Sequence, residues 1–432
     1  NTYTGTTTIS AGTLKVGNAA ALGPSSGAGA VSITSGAVLD LNGQSLTNSG
    51  TLTIRGTGIS SGGALINSST TAASYSGLIA LGAASSIVGG SGTIALTNVG
   101  TITGATFGLT LGGAQGGSIA SIIGTTSGTV TKQDSGTWTL SGANTYTGAT
   151  TVSAGTLAIT NATGLGTTAA GTTIASGATL DLQNVAVLAE AITINGGTLA
   201  TSTGTSSLSG AISLGASGST FSVAGTKLTL SGIISGSNGF TKTGSGALIL
   251  DNANTYTGTT TISAGTLSIN NTEGLGTAVG GTTIASGATL ESKGGFVETS
   301  GSILRVDGIS VQAAEWLLDP SDITISNSAN SNVTGVSPAD ITPNGGTGTS
   351  SIVQVSTIQG AINAGTNVTI KTTNVSNATG EGNITIADAL AFANNSNTNA
   401  TLSLVADNGI TQNAGASITT TAVTGKTGLV NI

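Results

Sequence analysis

In the stretch Thr150–Ile159, TTVSAGTLAI, the apolar Val152, Leu157 and Ile159 alternate with Thr and Ala, and Ser153-Ala154-Gly155 breaks the alternation. A period of two places the apolar set on one face of a strand and the Thr set on the other. Gly155 marks a corner that needs a positive φ or a close backbone approach. The phrase returns as TTISAGTLSI at Thr260–Ile269 and as TTTISAGTL at Thr6–Leu14. Around it runs a shorter beat. Gly, a small or polar residue, then Leu or Trp recurs at Gly136, Gly155, Gly177, Gly197, Gly225, Gly246, Gly265 and Gly287, a step of about 20 residues. A propeller blade needs about 40 or more residues, so the step is one coil of a solenoid. The pattern predicts an all-β chain, a right-handed parallel β-helix with coils of about 20 residues. It should be continuous through at least 128–300, with Val152, Leu157, Ile159, Ile174, Leu180, Ile262, Leu267, Ile269, Ile284 and Leu290 inside.

Composition supports strands over helices. Gly accounts for 70 of the 432 residues, and Gly in a helix costs about 1 kcal/mol relative to Ala, with the abundant Thr also a poor helix former. Mean hydropathy is +0.33 and net charge only −7, so the chain lacks the high charge and low hydrophobicity of disorder. Short runs of Ala, Val, Ile and Leu suit a core one or two side chains thick. After about residue 300 the wording changes. Pro320, Pro338 and Pro343 and the acids Glu298, Asp307, Glu315, Asp319, Asp322 and Asp340 crowd 298–343, and a strand–turn rhythm then resumes in other words. The expected organisation is a β-helix over 1–300, a seam or insertion over 301–345 and a second solenoid over 346–432.

Chemistry has little to work with. The chain has no Cys, Met or His, which removes disulfides, thiolate metal sites and the commonest general base. No Ser-His-Asp or Cys-His arrangement can be built. The acids Glu315, Asp319 and Asp322 form the densest cluster, read as solvated carboxylates beside a buried WLLD edge and not as a hydrolase pair. Asp40, Asp181 and Glu291 follow the same word, SGA[V/T]L; in separate coils they are expected to be solvated and too far apart to share a metal. The expected catalytic, cofactor-binding and metal residues are therefore none. Asn18, Asn161 and Asn271 precede matching words and fit either stacked amides along a solenoid or ordinary Asn turns. Tyr3, Tyr146 and Tyr256 read as rings packed on coil corners with their hydroxyls at the surface, in preference to a glycan-stacking ladder. Trp138 and Trp316 read as core. A regular Thr surface of the ice-binding type is a third reading and is disfavoured, because it needs Thr at matched positions on consecutive coils and the TGTTT words at Thr4–Thr8 and Thr257–Thr261 lie far apart. A pI near 4.3 without a basic stripe argues against nucleic acid. No apolar run approaches the roughly 20 residues of a spanning helix. The chain opens inside a repeat without a signal peptide, so it reads as the middle of something longer, with uncapped ends that should associate head to tail.

The segments Asn144–Leu180 and Asn254–Leu290 align without gaps and differ at nine positions. With Lys132 and Lys242 ahead of them, the words TLSGANTYTGATTVSAGTLAI and LILDNANTYTGTTTISAGTLSI resemble the autotransporter-associated β-strand repeat, also called the passenger-associated transport repeat. The resemblance covers about 128–182 and 238–292, with a truncated copy at 1–42. AEWLLDPSDITI (Ala314–Ile325) and GAINAGTNVTIKT (Gly360–Thr372) resemble the haemagglutinin-like repeats of large filamentous adhesins. These resemblances imply a type V secreted passenger at a bacterial cell surface. They imply a structural and adhesive rod segment of a fibre for attachment, aggregation or matrix formation, or, alternatively, an inert stalk for an enzyme or toxin located elsewhere. The implied partners are other copies of the fibre, a host or neighbouring cell surface, glycans, and an outer-membrane transporter during secretion; no cofactor is implied.

Overall fold

A computed structural model describes residues 1–48, 50–271, 273–277, 281–292, 296–300, 310–312, 315–319, 322–326, 350–371, 383–394, 399–406, 409–421, 423–424 and 430–431. The chain is all-β, with parallel strands stacked as a β-solenoid of about 22 residues per turn. It divides into two compact units.

The first unit comprises residues 1–246, 254–259 and 276–280. One coil shows its construction. Val130–Lys132 lies on a first sheet, Thr137–Leu140 lies on a second, and the chain then crosses a third side before Thr150–Val152 returns to the first sheet. The return is in register, Val130 opposite Thr150 and Lys132 opposite Val152. The strands of this coil are three or four residues long, short because corners interrupt them. Gly155 has φ 61°, the left-handed region that a side chain strains to adopt. Gly136 serves the other purpose: a Cβ there would sit 2.5 Å from the carbonyl oxygen of Gly113 on the preceding coil.

The core is as narrow as the composition indicates. Val152, Leu157, Ile159, Ile174, Leu180, Ile262 and Leu267 are fully buried, and Ile269 and Leu290 nearly so. Ile284 is only half-buried; among the described residues Thr282–Ile284 is the last strand of its sheet. Trp138 is fully buried and its indole N–H donates to the Gly112 carbonyl at 2.9 Å, which satisfies the ring's one polar atom.

The two full repeats do not sit on the same faces. Lys132 lies on the first sheet and Lys242 on the second. Five coils of the first sheet run from Val130 to Ile234 and consume 104 residues (234 − 130). The two lysines are 110 residues apart (242 − 132), so the second copy arrives one face further around. Thr145 N–H bonds to Ile123 on the third side, whereas Thr255 N–H bonds to Ile234 of the first sheet.

In the second unit, residues 247–253, 260–275 and 281–432, Ala247–Leu250, Thr266–Ile269, Thr289–Ser292 and Ser310–Gln312 stack in one parallel sheet. Asp322–Ser326 pairs in parallel with Ser350–Gln354 and with Asn383–Ile386. An α-helix at Val355–Asn363 was not expected from the strand rhythm. Val355, Ile358, Ala361 and Ile362 are buried on it, a helical spacing hidden inside a short apolar run. Most of the expected seam, including Pro320, Pro338, Pro343, Asp307 and Asp340, lies outside the described residues. So do the side chains of Glu298, Glu315, Trp316, Asp319 and Asp322.

Candidate functional site

The recurring wording of the repeats builds coil corners. Lys132 points inward and is fully buried. Its ammonium donates to the carbonyls of Gln133 at 2.6 Å, Asp134 at 2.7 Å and Ala154 at 2.9 Å. A buried ammonium persists only when its donors are used, and here three backbone oxygens from two coils use them. Burial pushes the Lys132 pKa down to about 8, against the opposing pull of Asp134. Lys242 repeats the arrangement, donating to Thr243 at 2.9 Å and Gly244 at 2.7 Å, and burial likewise lowers its pKa to about 8. The left-handed corner residue is Asp134 (φ 60°) in one copy and Gly244 (φ 77°) in the other.

Twelve residues beyond each lysine, the word NTYTG fills the corner opposite. Asn144 Oδ1 accepts from Ile123 N–H of the preceding coil at 2.8 Å, and Nδ2 donates to the Gly164 carbonyl of the following coil at 2.7 Å. Asn254 Oδ1 accepts from Ile234 N–H at 2.8 Å. Tyr146 and Tyr256 are fully buried, so the expectation of surface hydroxyls is corrected. The Tyr146 hydroxyl pairs with Thr150 Oγ1 at 2.7 Å inside the corner, and Tyr3 makes the same pair with Thr7 at 2.8 Å. Asn18, Asn161 and Asn271 resolve as Asn turns, each Oδ1 accepting from the N–H two residues on.

The acids are also corrected. Asp40 and Asp181 are buried, with 2% and 6% exposure. Asp40 accepts from Ser68 N–H at 3.0 Å and Ser68 Oγ at 2.6 Å; Asp181 accepts from Ser202 N–H at 2.9 Å and Ser202 Oγ at 2.6 Å. Each carboxylate clasps the next coil instead of facing water. Glu190, which no motif marks, is 3% exposed. Its Oε1 accepts from Thr172 Oγ1 at 2.7 Å, and burial raises its pKa to about 7 against that hydrogen bond. The signal available was an acid two residues before Ile192 in the word LAEAITI. Among the described residues no three acidic side chains converge as a metal site.

The outer faces carry hydroxyls in ranks. On the first sheet, Thr110, Thr131, Thr151, Thr173 and Thr193 pair in register on five consecutive coils, continued by Ser213. On the second sheet, Thr137, Thr156, Thr179, Thr198, Thr220 and Thr241 do the same on six. A regular Thr surface therefore exists without clustered TTT words. The ranks arise from one Thr at a matched position of each strand, aligned by unequal coils.

The passenger-associated-transport-repeat family matches at residues 1–16, 130–159 and 240–269. The two longer matches hold the Lys, Asn and Tyr corner residues, so the chain carries these repeats as coil-corner units. The family matches end at residue 269 and do not carry the haemagglutinin-like reading of 346–432. An adhesin of Brucella suis biovar 1 (strain 1330), the BmaC autotransporter, is 32% identical over 128 residues, 28% of this chain and 4% of that protein. The chain thus spans a small fraction of the length of the curated relative it matches. No solved structure matches it.

Proposed function

We propose that the chain is a structural and adhesive rod segment of a large bacterial fibre, exported across the outer membrane and displayed at the cell surface, where it serves attachment, aggregation or matrix formation. One observation carries this reading: the transport repeats spend their recurring polar residues on coil-to-coil bonds. Function is thereby left to length and to the outer faces, which repeat with every coil. The autotransporter adhesin relative supports the adhesive role and the surface location. The segment 346–432 belongs to the same proposal as a haemagglutinin-like continuation, and a non-enzymatic role fits a chain without His or Cys. The alternative, an inert stalk, differs in one measurement. The chain is displayed on a non-adherent bacterium through an unrelated outer-membrane anchor, next to an unrelated passenger of similar length. Greater attachment to host cells or faster settling than the control is expected; equal behaviour would leave the stalk reading standing.

A further inference from the structure

On the first sheet, the strand Ile192–Asn195 runs into the shortest of three stacked corners. Three residues, Asn195, Gly196 and Gly197, join Ile194 to Thr198. At the matched positions the preceding coil uses four between Ile174 and Thr179, and the following coil five between Leu214 and Thr220. The pairing slips by one residue between Ile194 and Asn195. Gly196 has φ 75°, a conformation that a residue without a Cβ adopts at no steric cost. Asn195 is half-buried and leans over the next coil, where a Cβ on Gly215 would sit 2.1 Å from its Oδ1. Among the described residues no hydrogen bond holds its carboxamide, and none engages the Gly196 N–H.

Two other Asn-Gly pairs lie wholly within the described residues, and both are tied down. Asn42 Nδ2 donates to the Val16 carbonyl at 2.9 Å, and Gly43 N–H donates to Asn67 Oδ1 at 2.9 Å. Asn238 Nδ2 donates to the Leu214 carbonyl at 3.0 Å. Backbone also closes on Gly239, since a Cβ on Gly258 would sit 2.0 Å from its nitrogen. Asn344 and Asn408, which also precede Gly, lie outside the described residues.

We propose that Asn195 is a self-modifying site, at which the folded chain converts its own carboxamide to a carboxylate with water as the only co-reactant. The Gly196 nitrogen gives up its proton to water and attacks Asn195 Cγ. The Cγ–Nδ2 bond breaks, and Nδ2 takes up a proton and leaves as ammonia. The five-membered succinimide then adds one water and opens at either carbonyl. One opening gives Asp; the other gives isoaspartate, whose link to Gly196 runs through the side chain. Ring closure needs a carboxamide and a backbone N–H that can meet, and each hydrogen bond on either must first be broken. At Asn195 there is none to break, and the two glycines that follow put no Cβ in the way. Isoaspartate lengthens the backbone by one carbon, and a corner shorter than both its neighbours has room for that carbon. Ile192 and Ile194 point inward, so the new carboxylate lies on the outer face beside Thr193.

The conversion needs only the coil and water, so its outcome leaves the adhesive reading untouched. The 432-residue chain is aged in neutral buffer at physiological temperature and its peptides are read by mass spectrometry. Labelling with an isoaspartyl methyltransferase separates isoaspartate from Asp. In the folded chain Asn195 should convert at least tenfold faster than Asn42 and Asn238, with isoaspartate among its products. In urea, where the bonds that shield Asn42 and Asn238 are gone, the three should convert at similar rates. Asn195→Gln should abolish the early isoaspartate label, because Gln must close a larger ring; circular dichroism verifies that this variant folds. An Asn195 that stays intact in the folded chain but converts in urea overturns the proposal, as do equal rates at the three sites in the folded chain. Conversion to Asp without isoaspartate also overturns it and assigns the change to direct hydrolysis. A label that persists in Asn195→Gln overturns it by placing the site elsewhere, and the same order of rates in urea overturns it by removing the fold from the selection.

Discussion

Asn144 and Asn161 lie in one repeat and share a residue type, yet their environments set them apart. Asn144 is 2% exposed and joins three coils through Ile123 and Gly164; Asn161 is partly exposed and closes a local turn. Asn144→Ala leaves a buried N–H and a buried carbonyl unpaired, a loss on the order of 3 kcal/mol. Asn161→Ala should stay within about 0.5 kcal/mol. Urea melts of the two variants check the difference. Glu190 supplies a pH signature. Its folded pKa is raised from 4.5 to about 7, so the folded state binds the extra proton between those values and stability falls as pH rises through that window. Lys132 and Lys242 act oppositely and later. Their pKa values are lowered from 10.5 to about 8, so stability recovers as pH rises from about 8 toward 10.5. Glu190→Gln should flatten the lower window and leave the upper one, which thermal melts from pH 4 to 10 can resolve. The inward positions of Val152 and Leu157 were legible because alternation reports them directly. The burial of Asp40 and Glu190 was not, because each depends on a partner about one coil away, and only the stacking register reveals which residue that is.

At the scale of the coil, the corner decides the strand. Gly166 has φ 84°, and a Cβ there would meet the Tyr146 carbonyl at 2.5 Å and its ring at 3.0 Å. The second copy repeats this at Gly276 above Tyr256, which gives the shared word GLG a physical reason. Gly166→Ala should destabilise by about 1–3 kcal/mol through backbone strain and ring displacement. Gly17→Ala, where a Cβ meets nothing within 4 Å, should be close to neutral; paired thermal melts of these variants test the claim. The coil step was legible because glycines mark the corners. The one-face rotation of the second repeat was not, because it rests on the 6-residue difference between 110 residues of sequence and 104 residues of five coils. The helix Val355–Asn363 escaped for a similar reason: VSTIQGAIN is too short for its period to stand out from a strand pattern.

Across the first unit, each coil contacts its neighbours above and below, so stability should be close to a sum of coil terms and nearest-neighbour terms. Side chains that bond to a neighbouring coil add to the backbone ladders and set local cooperativity, among them Lys132 to Ala154, Asn67 to Gly43 and Thr93, Asp181 to Ser202, and Asn144 in both directions. Removing such a residue should open the coils it joins before it affects distant ones, because no single core spans the stack to distribute the loss. Hydrogen exchange in the Asn144→Ala variant tests this directly. The Ile123 amide loses its acceptor, and exchange should quicken there and across the neighbouring coils at about 101–167. Val31 and Leu52, whose amides bond to Thr51 and Leu78 several coils away, should keep their wild-type rates. A uniform acceleration from Val31 to Leu214 would show instead that the first unit opens as one cooperative body. The coil-by-coil account of its stability would then fail, whatever the variant does to the melting temperature.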